Sequence, residues 1–110
     1  MPRSIITKIL LARAIAGIPQ LLVLEDPLHT LNQSDRLLVS RLLVNRTYPW
    51  TLICSTEDPV MAAMCDRILI LDQGAIVFDG NFEQVQKTEH YSRVFRVVPN
   101  ETENQAPKNA

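Results

Sequence analysis

The chain has 110 residues, room for one domain at most and short enough to be part of one. Hydrophobic residues make up 46% and charged residues 21%, which is ordinary for a folded protein and excludes a chain kept disordered by low hydrophobicity. A formal net charge of -1 gives no long-range field for gathering nucleic acid or anionic lipid, so no nucleic-acid partner is expected. No apolar run approaches the roughly 20 residues that cross a bilayer. Met1-Pro2-Arg3 is not followed by an uninterrupted apolar stretch with a cleavage site, and the chain reads as soluble, without a secretory signal. Cys54 and Cys65 are far from a CxxC spacing and stand among apolar residues. They are expected to be reduced, core-packing residues of a cytosolic protein, with no metal or redox role.

In chain order, Ile5 to Ala16 predicts a well-buried helix, with Ile5, Ile9, Ala12 and Ala16 on one face and Gly17 and Pro19 as its stop. Leu21 to Leu24 is a continuous apolar run that predicts a strand buried on both faces of a parallel sheet, with Glu25 and Asp26 at its carboxyl end. Asn32 to Asp35 opens a helix carried by Leu37, Leu38, Leu42 and Leu43 and ending between Asn45 and Pro49. Thr51 to Ser55 is a second apolar strand. Strand, helix and strand with short connections make a right-handed crossover unit. Asp58-Pro59 opens a short helix to about Met64, and Ile68 to Leu71 is a third strand. Asp72-Gln73-Gly74 then turns the chain into a hairpin partner, Ala75 to Phe78. Phe82 to Lys87 reads as a short helix and Tyr91 to Val98 as a final amphipathic segment. Residues 99–110 lack large apolar side chains and predict a disordered tail.

In open α/β sheets, ligands bind beyond the carboxyl ends of the parallel strands. Two strands here end in acids: one delivers Glu25 and Asp26, the other Glu57 and Asp58. Adjacent carboxylates in such a place suit Mg²⁺, a hard cation that keeps several waters, and can orient a water. Glu25 and Asp26 abut a fully apolar strand and read as functional, whereas Asp58 before Pro59 reads as a helix opener. His29 reads as a loop residue, either without ligand neighbours or facing a partner.

These residues carry a family resemblance. Leu21-Leu22-Val23-Leu24-Glu25-Asp26-Pro27 resembles the Walker B strand of ATP-binding cassette (ABC) proteins, typically four apolar residues followed by Asp-Glu-Pro. Lys8 to Ile15 resembles the helix after the family's signature motif, His29-Thr30-Leu31-Asn32 its D-loop, and Thr51 to Asp58 its switch strand and switch region. Cys65 to Gly80 resembles its late hairpin. The resemblance runs over residues 1–98 and implies an α/β fold: part of a P-loop NTPase (ABC cassette) fold, with parallel strands, crossover helices and a C-terminal β-hairpin.

The resemblance also implies roles and absences. Asp26 takes the place of the glutamate that positions the attacking water, and Glu25 that of the aspartate that holds Mg²⁺ through water. This exchange of the two acids alters each reach by one methylene. Glu57 stands where the family has its switch histidine; at ~4 Å and an effective dielectric of ~20, its repulsion from one phosphate charge is about 4 kcal/mol. Asn32 belongs to the D-loop. Met1 to Ile5 aligns with LSGGQ but lacks both glycines. Arg3 and Ser4 are therefore either contacts to the ATP of a partner cassette or a solvated helix cap. No phosphate-cradling GxxxxGK[ST] loop is present, so the chain alone is expected to be inactive and to resemble the carboxyl-terminal portion of a cassette.

The function implied is that of an ATP-hydrolysing segment of an ABC transporter, with Tyr91 to Phe95 resembling the tail helix of the exporter type. ATP and Mg²⁺ are then the cofactors. A second cassette that sandwiches ATP and a transmembrane domain, fused or separate, are the partners, on the cytoplasmic side of the membrane. The alternatives are a degenerate regulatory cassette with little hydrolysis, and a soluble ABC ATPase outside transport. A partial cassette also leaves an apolar strand edge and one flank of the first helix uncovered, which predicts self-association or weak stability.

Overall fold

Two parallel strands anchor the chain: β1 (Leu21–Glu25) pairs with β2 (Thr51–Ser55) from Leu21 opposite Thr51 to Glu25 opposite Ser55. The computed structural model describes residues 1–95. The end of the segment predicted over 91–98 and the tail predicted over 99–110 lie outside the described residues. Before the sheet comes helix α1 (Arg3–Ala16), and α2 (Gln33–Leu43) makes the crossover from β1 to β2. Asn32 caps α2 by accepting the Asp35 amide at 2.8 Å. Asp58 caps α3 (Pro59–Met64) by accepting the amides of Val60 and Met61, the role expected of an Asp before Pro.

The second sheet is an antiparallel hairpin of β3 (Ile68–Asp72) and β4 (Ala75–Gly80). Its loop is Gln73-Gly74, both with positive φ, the backbone that a two-residue hairpin turn needs to match strand twist. Arg67 grips Asp79 with two hydrogen bonds of 2.8 and 2.7 Å, and that guanidinium holds the Asp79 carboxyl below its usual range. The chain then forms α4 (Phe82–Gln86) and α5 (His90–Val94). Asn81 and Gln84 close a reciprocal capping box at the start of α4. Gly80 is needed beside it, because a Cβ there would run into Gln84 and Phe78.

Two apolar clusters hold these parts. The first gathers Leu22, Leu28, Leu31, Leu43, Trp50 and Met61, and Trp50 Nε1 donates to the Leu43 carbonyl at 2.8 Å. The second gathers Ala62, Ile68, Ile70, Val85 and Phe95. Neighbouring residues of α3, Met61 and Ala62, therefore belong to different clusters and tie the crossover unit to the hairpin.

Two expectations about burial are corrected. The strand β1 is not covered on both faces: Leu22 is buried and Leu24 half-buried, while Leu21 and Val23 are 56% and 64% exposed. Ile53, paired with Val23, extends this open apolar face. The helix α1 is not well buried either, and Ile5, Ile9, Ala12 and Ala16 form its exposed side. At about 100° per residue, the side that packs is opposite, with Leu11 buried and Ala14 and Ile15 against the first cluster. An alternating or helical apolar pattern shows which residues share a face but not whether anything covers it.

One flank of α1 is uncovered, as expected for a partial sheet, and the face of the parallel pair that carries Leu21, Val23 and Ile53 is open besides. Sedimentation velocity across a range of concentrations is expected to show self-association; a stable monomer that melts cooperatively would contradict this.

Candidate functional site

The site begins where β1 stops. Past the last paired residues, the Asp26 amide donates to the Ser55 carbonyl at 3.0 Å and to Ser55 Oγ at 2.9 Å. Asp26 has φ 43, a left-handed conformation uncommon for a residue with a side chain. The chain thus turns sharply out of the sheet directly after the apolar run, and Pro27 and Leu28 beyond the turn are buried. Such turns concentrate at functional sites, where surrounding structure holds a sparsely populated backbone.

The loop that follows is pinned from below by Arg36. Its Nε donates to the carbonyls of Leu31 at 2.8 Å and Leu28 at 3.2 Å, and its terminal nitrogen to that of His29 at 3.4 Å. On the other side, the hydroxyls of Thr7 and Thr30 are hydrogen-bonded, and Lys8 pairs with Asp35 at 2.7 Å. The early turns of α1 are therefore fastened to the D-loop segment and the start of α2.

Asp26 and Glu57 line one cleft of about 900 Å³ with His29, Arg36, Thr56 and Asp58. The cleft opens at the carboxyl ends of the two parallel strands, where ligands of open α/β sheets bind. His29 Nδ1 stands 3.7 Å from Asp26 Oδ2. His29 is thus an exposed loop residue with one carboxylate beside it. Other candidates do not join this group. Glu25 ends β1 on the same side as Leu21 and Val23 and does not line the cleft. Arg3 and Ser4 form the first turn of α1, behind the extended Pro2, and Asn32 acts as the cap of α2.

Among the described residues, no group of three or more His, Cys, Asp or Glu is placed to hold a metal by itself. The carboxylates present still fit Mg²⁺, which is held through one or two carboxylates, phosphate oxygens and its own waters. Also among the described residues, no helix is long and apolar enough to cross a membrane.

Three features had no signal in the sequence. Arg36 could have been suspected only as a cation one turn into a helix, and Ser55 only as a polar strand end. The third is that Cys54 and Cys65 act on each other's thiol, raising that of Cys54 and lowering that of Cys65, although their spacing matches no motif. Both cysteines are free, half-buried and packed on the first cluster, as the core-packing expectation had it.

The comparisons with known proteins agree with this geometry. An aliphatic sulfonates import ATP-binding protein of Agrobacterium fabrum (SsuB 1) is 31% identical over 101 residues, 89% of this chain and 37% of its own length. The ABC transporter H family member 2 of Dictyostelium discoideum is 31% identical over 104 residues, 93% of this chain and 20% of its own. A second aliphatic sulfonates import ATP-binding protein (SsuB 2), from Xanthomonas axonopodis, is 36% identical over 75 residues, 66% of this chain and 26% of its own. No family model matches the chain. A parallel strand pair with acids at its carboxyl end, a pinned loop and an antiparallel hairpin define part of an α/β domain. The chain belongs to the ABC nucleotide-binding domains, and it spans well under half the length of the relatives it matches.

The grip of Arg36 on the loop is directly testable. Arg36→Met keeps most of the side-chain volume and removes the charged donors, each class of bond being worth about 1.5 to 3 kcal/mol. Denaturant unfolding is expected to show a loss of that size, with faster amide exchange over residues 26–31; unchanged exchange would contradict the role.

Proposed function

We propose that residues 1–98 serve as the carboxyl-terminal portion of an ATP-hydrolysing ABC cassette that couples ATP binding and hydrolysis to transport across a membrane. The observation that carries this reading is the convergence of Asp26 and Glu57 on one cleft at the carboxyl ends of β1 and β2. In a complete cassette ATP is the substrate and Mg²⁺ its companion. The metal, when bound, polarises the phosphoryl oxygens and offsets their charge. Asp26 orients the attacking water. Glu25 holds the metal through its water shell. Asn32, as part of the pinned D-loop, faces the partner.

Binding to a second cassette places the amino-terminal turn of α1, with Arg3 and Ser4, toward the nucleotide of that partner. The exposed N–H groups of a helix start and a guanidinium both favour phosphate. A transmembrane domain, fused or separate, completes the assembly at the cytoplasmic side of the membrane. The exporter-type resemblance of Tyr91 to Phe95 stands beside relatives named for sulfonate import, and the proposal covers transport in either direction.

Glu57 supports a second reading, a regulatory cassette that binds nucleotide and hydrolyses it poorly. Its carboxylate lines the same cleft as Asp26 and is an acceptor where the family's switch histidine donates. The two readings separate on ATP turnover by the complete protein. Turnover that falls on the order of 100-fold or more in Asp26→Asn, as expected when a group that positions the nucleophile is lost, supports hydrolysis. Nucleotide binding without turnover in the unaltered protein would overturn it in favour of the regulatory cassette.

A further inference from the structure

We propose that His29 is a positioning residue for Asp26: its Nδ1–H donates to the Asp26 carboxylate and keeps that group aimed into the cleft. Neither the strand-end rule nor the family resemblance gives His29 this task. The two residues are the first and last of a turn in which the His29 amide donates to the Asp26 carbonyl at 3.4 Å. A four-residue turn brings the Cα atoms of its ends within about 7 Å, and here His29 Nδ1 stands 3.7 Å from Asp26 Oδ2. Both side chains line the cleft.

The backbone is held at both ends of this contact. Asp26 is fixed by its two bonds to Ser55. His29 gives its carbonyl to Arg36 at 3.4 Å, between the buried Leu28 and Leu31. The side chains themselves are exposed, and an aspartate has two rotatable bonds with which to turn away from the cleft. Four other polar residues of the cleft are engaged elsewhere. Arg36 donates to the loop carbonyls, Ser34 donates to Asn32, Thr56 accepts the Asp58 amide and Asp58 caps α3. His29 supplies the donor beside Asp26.

The contact dictates a tautomer. In a neutral imidazole one nitrogen carries the proton and the other accepts, and the partners of the two decide which. An ionised carboxylate only accepts, so Nδ1 carries the proton. The 3.7 Å separation is longer than the roughly 2.7 to 3.2 Å of a formed bond, and such contacts in catalytic sites often close only with substrate in place. What the pair contributes is direction. An exposed pair adds little to stability, whereas displacing a water-orienting group by about 1 Å can cost on the order of 100-fold in rate. The effect on turnover rests on the function proposed above; the contact and its tautomer do not.

The chain has two histidines, His29 and His90. Imidazole nitrogen NMR of the full chain at about pH 8.5, above the ordinary imidazole value, therefore reports each of them. The expected result is the Nδ1–H tautomer for His29, lost in Asp26→Gly while His90 is unchanged. Glycine removes the carboxylate and suits the left-handed backbone at this position. The Nε2–H tautomer in the unaltered chain, or a His29 signal that Asp26→Gly leaves as it was, would overturn the proposal. In the complete protein, His29→Leu is expected to lower kcat for ATP hydrolysis roughly 10- to 100-fold, with KM changed less than about twofold. His29→Asn, whose amide nitrogen is bonded to Cγ as Nδ1 is, is expected to keep kcat within about threefold of the unaltered protein. Equal losses in both variants, no loss in His29→Leu, or a fall in its denaturant midpoint large enough to explain the loss would each overturn the positioning role. Absence of turnover in the unaltered protein would count against hydrolysis as the function, and the tautomer alone then decides the contact.

Discussion

The bond on which the site depends is the one from the Asp26 amide to Ser55. It extends the parallel register by one step past Glu25 opposite Ser55 and makes the chain leave β1 in a left-handed turn. That conformation costs about 1 to 3 kcal/mol, more than the roughly 0.5 to 1.5 kcal/mol one backbone hydrogen bond returns. The balance is met just downstream. Leu28 and Leu31 are 1% and 3% exposed, and full burial of each such side chain is worth about 1.5 to 3 kcal/mol. The turn is thus held by what its loop buries, with the hydrogen bond choosing its direction.

From this constraint the rest of the site follows. The turn carries the chain over α2, where Arg36 collects three loop carbonyls, of which that of Leu28 also accepts the Leu31 amide. It also sets Asp26 beside His29 and in the same cleft as Glu57. The parallel pairing matters because it sends both strand ends, with their acids, in the same direction. An antiparallel pair would have put Asp26 and Glu57 at opposite ends of the sheet.

Much of this was legible in the sequence. The β2 strand and the α3 helix follow directly from Thr51 to Ser55 and from Asp58-Pro59, because apolar runs and caps act within a few residues. The strand β1 takes in Glu25, one residue beyond the apolar run, because backbone pairing with Ser55 does not depend on the side chain. What stayed illegible was everything that depends on neighbours distant in sequence. Ile5, Ile9 and Val23 look like core residues, yet nothing in the described chain covers them. For the same reason the convergence of Asp26 and Glu57 on one cleft followed from strand-end logic, whereas the mutual influence of the Cys54 and Cys65 thiols did not. The first rests on a general rule about sheets, the second on tertiary placement that no spacing encodes.

The chain belongs to the ABC nucleotide-binding domains, and for the function proposed above the cleft gives a physical account of how its acids would take part. Parallel strands deliver two carboxylates to one opening, a pinned loop fixes one of them, and the switch segment carries the other. The most direct test is a structure of the complete cassette with Mg²⁺ and a slowly hydrolysed ATP analogue. The account predicts the terminal phosphate in the cleft between Asp26 and Glu57, with Glu25 against the water shell of the metal. A nucleotide bound elsewhere, with Asp26 and Glu57 away from its phosphates, would contradict it.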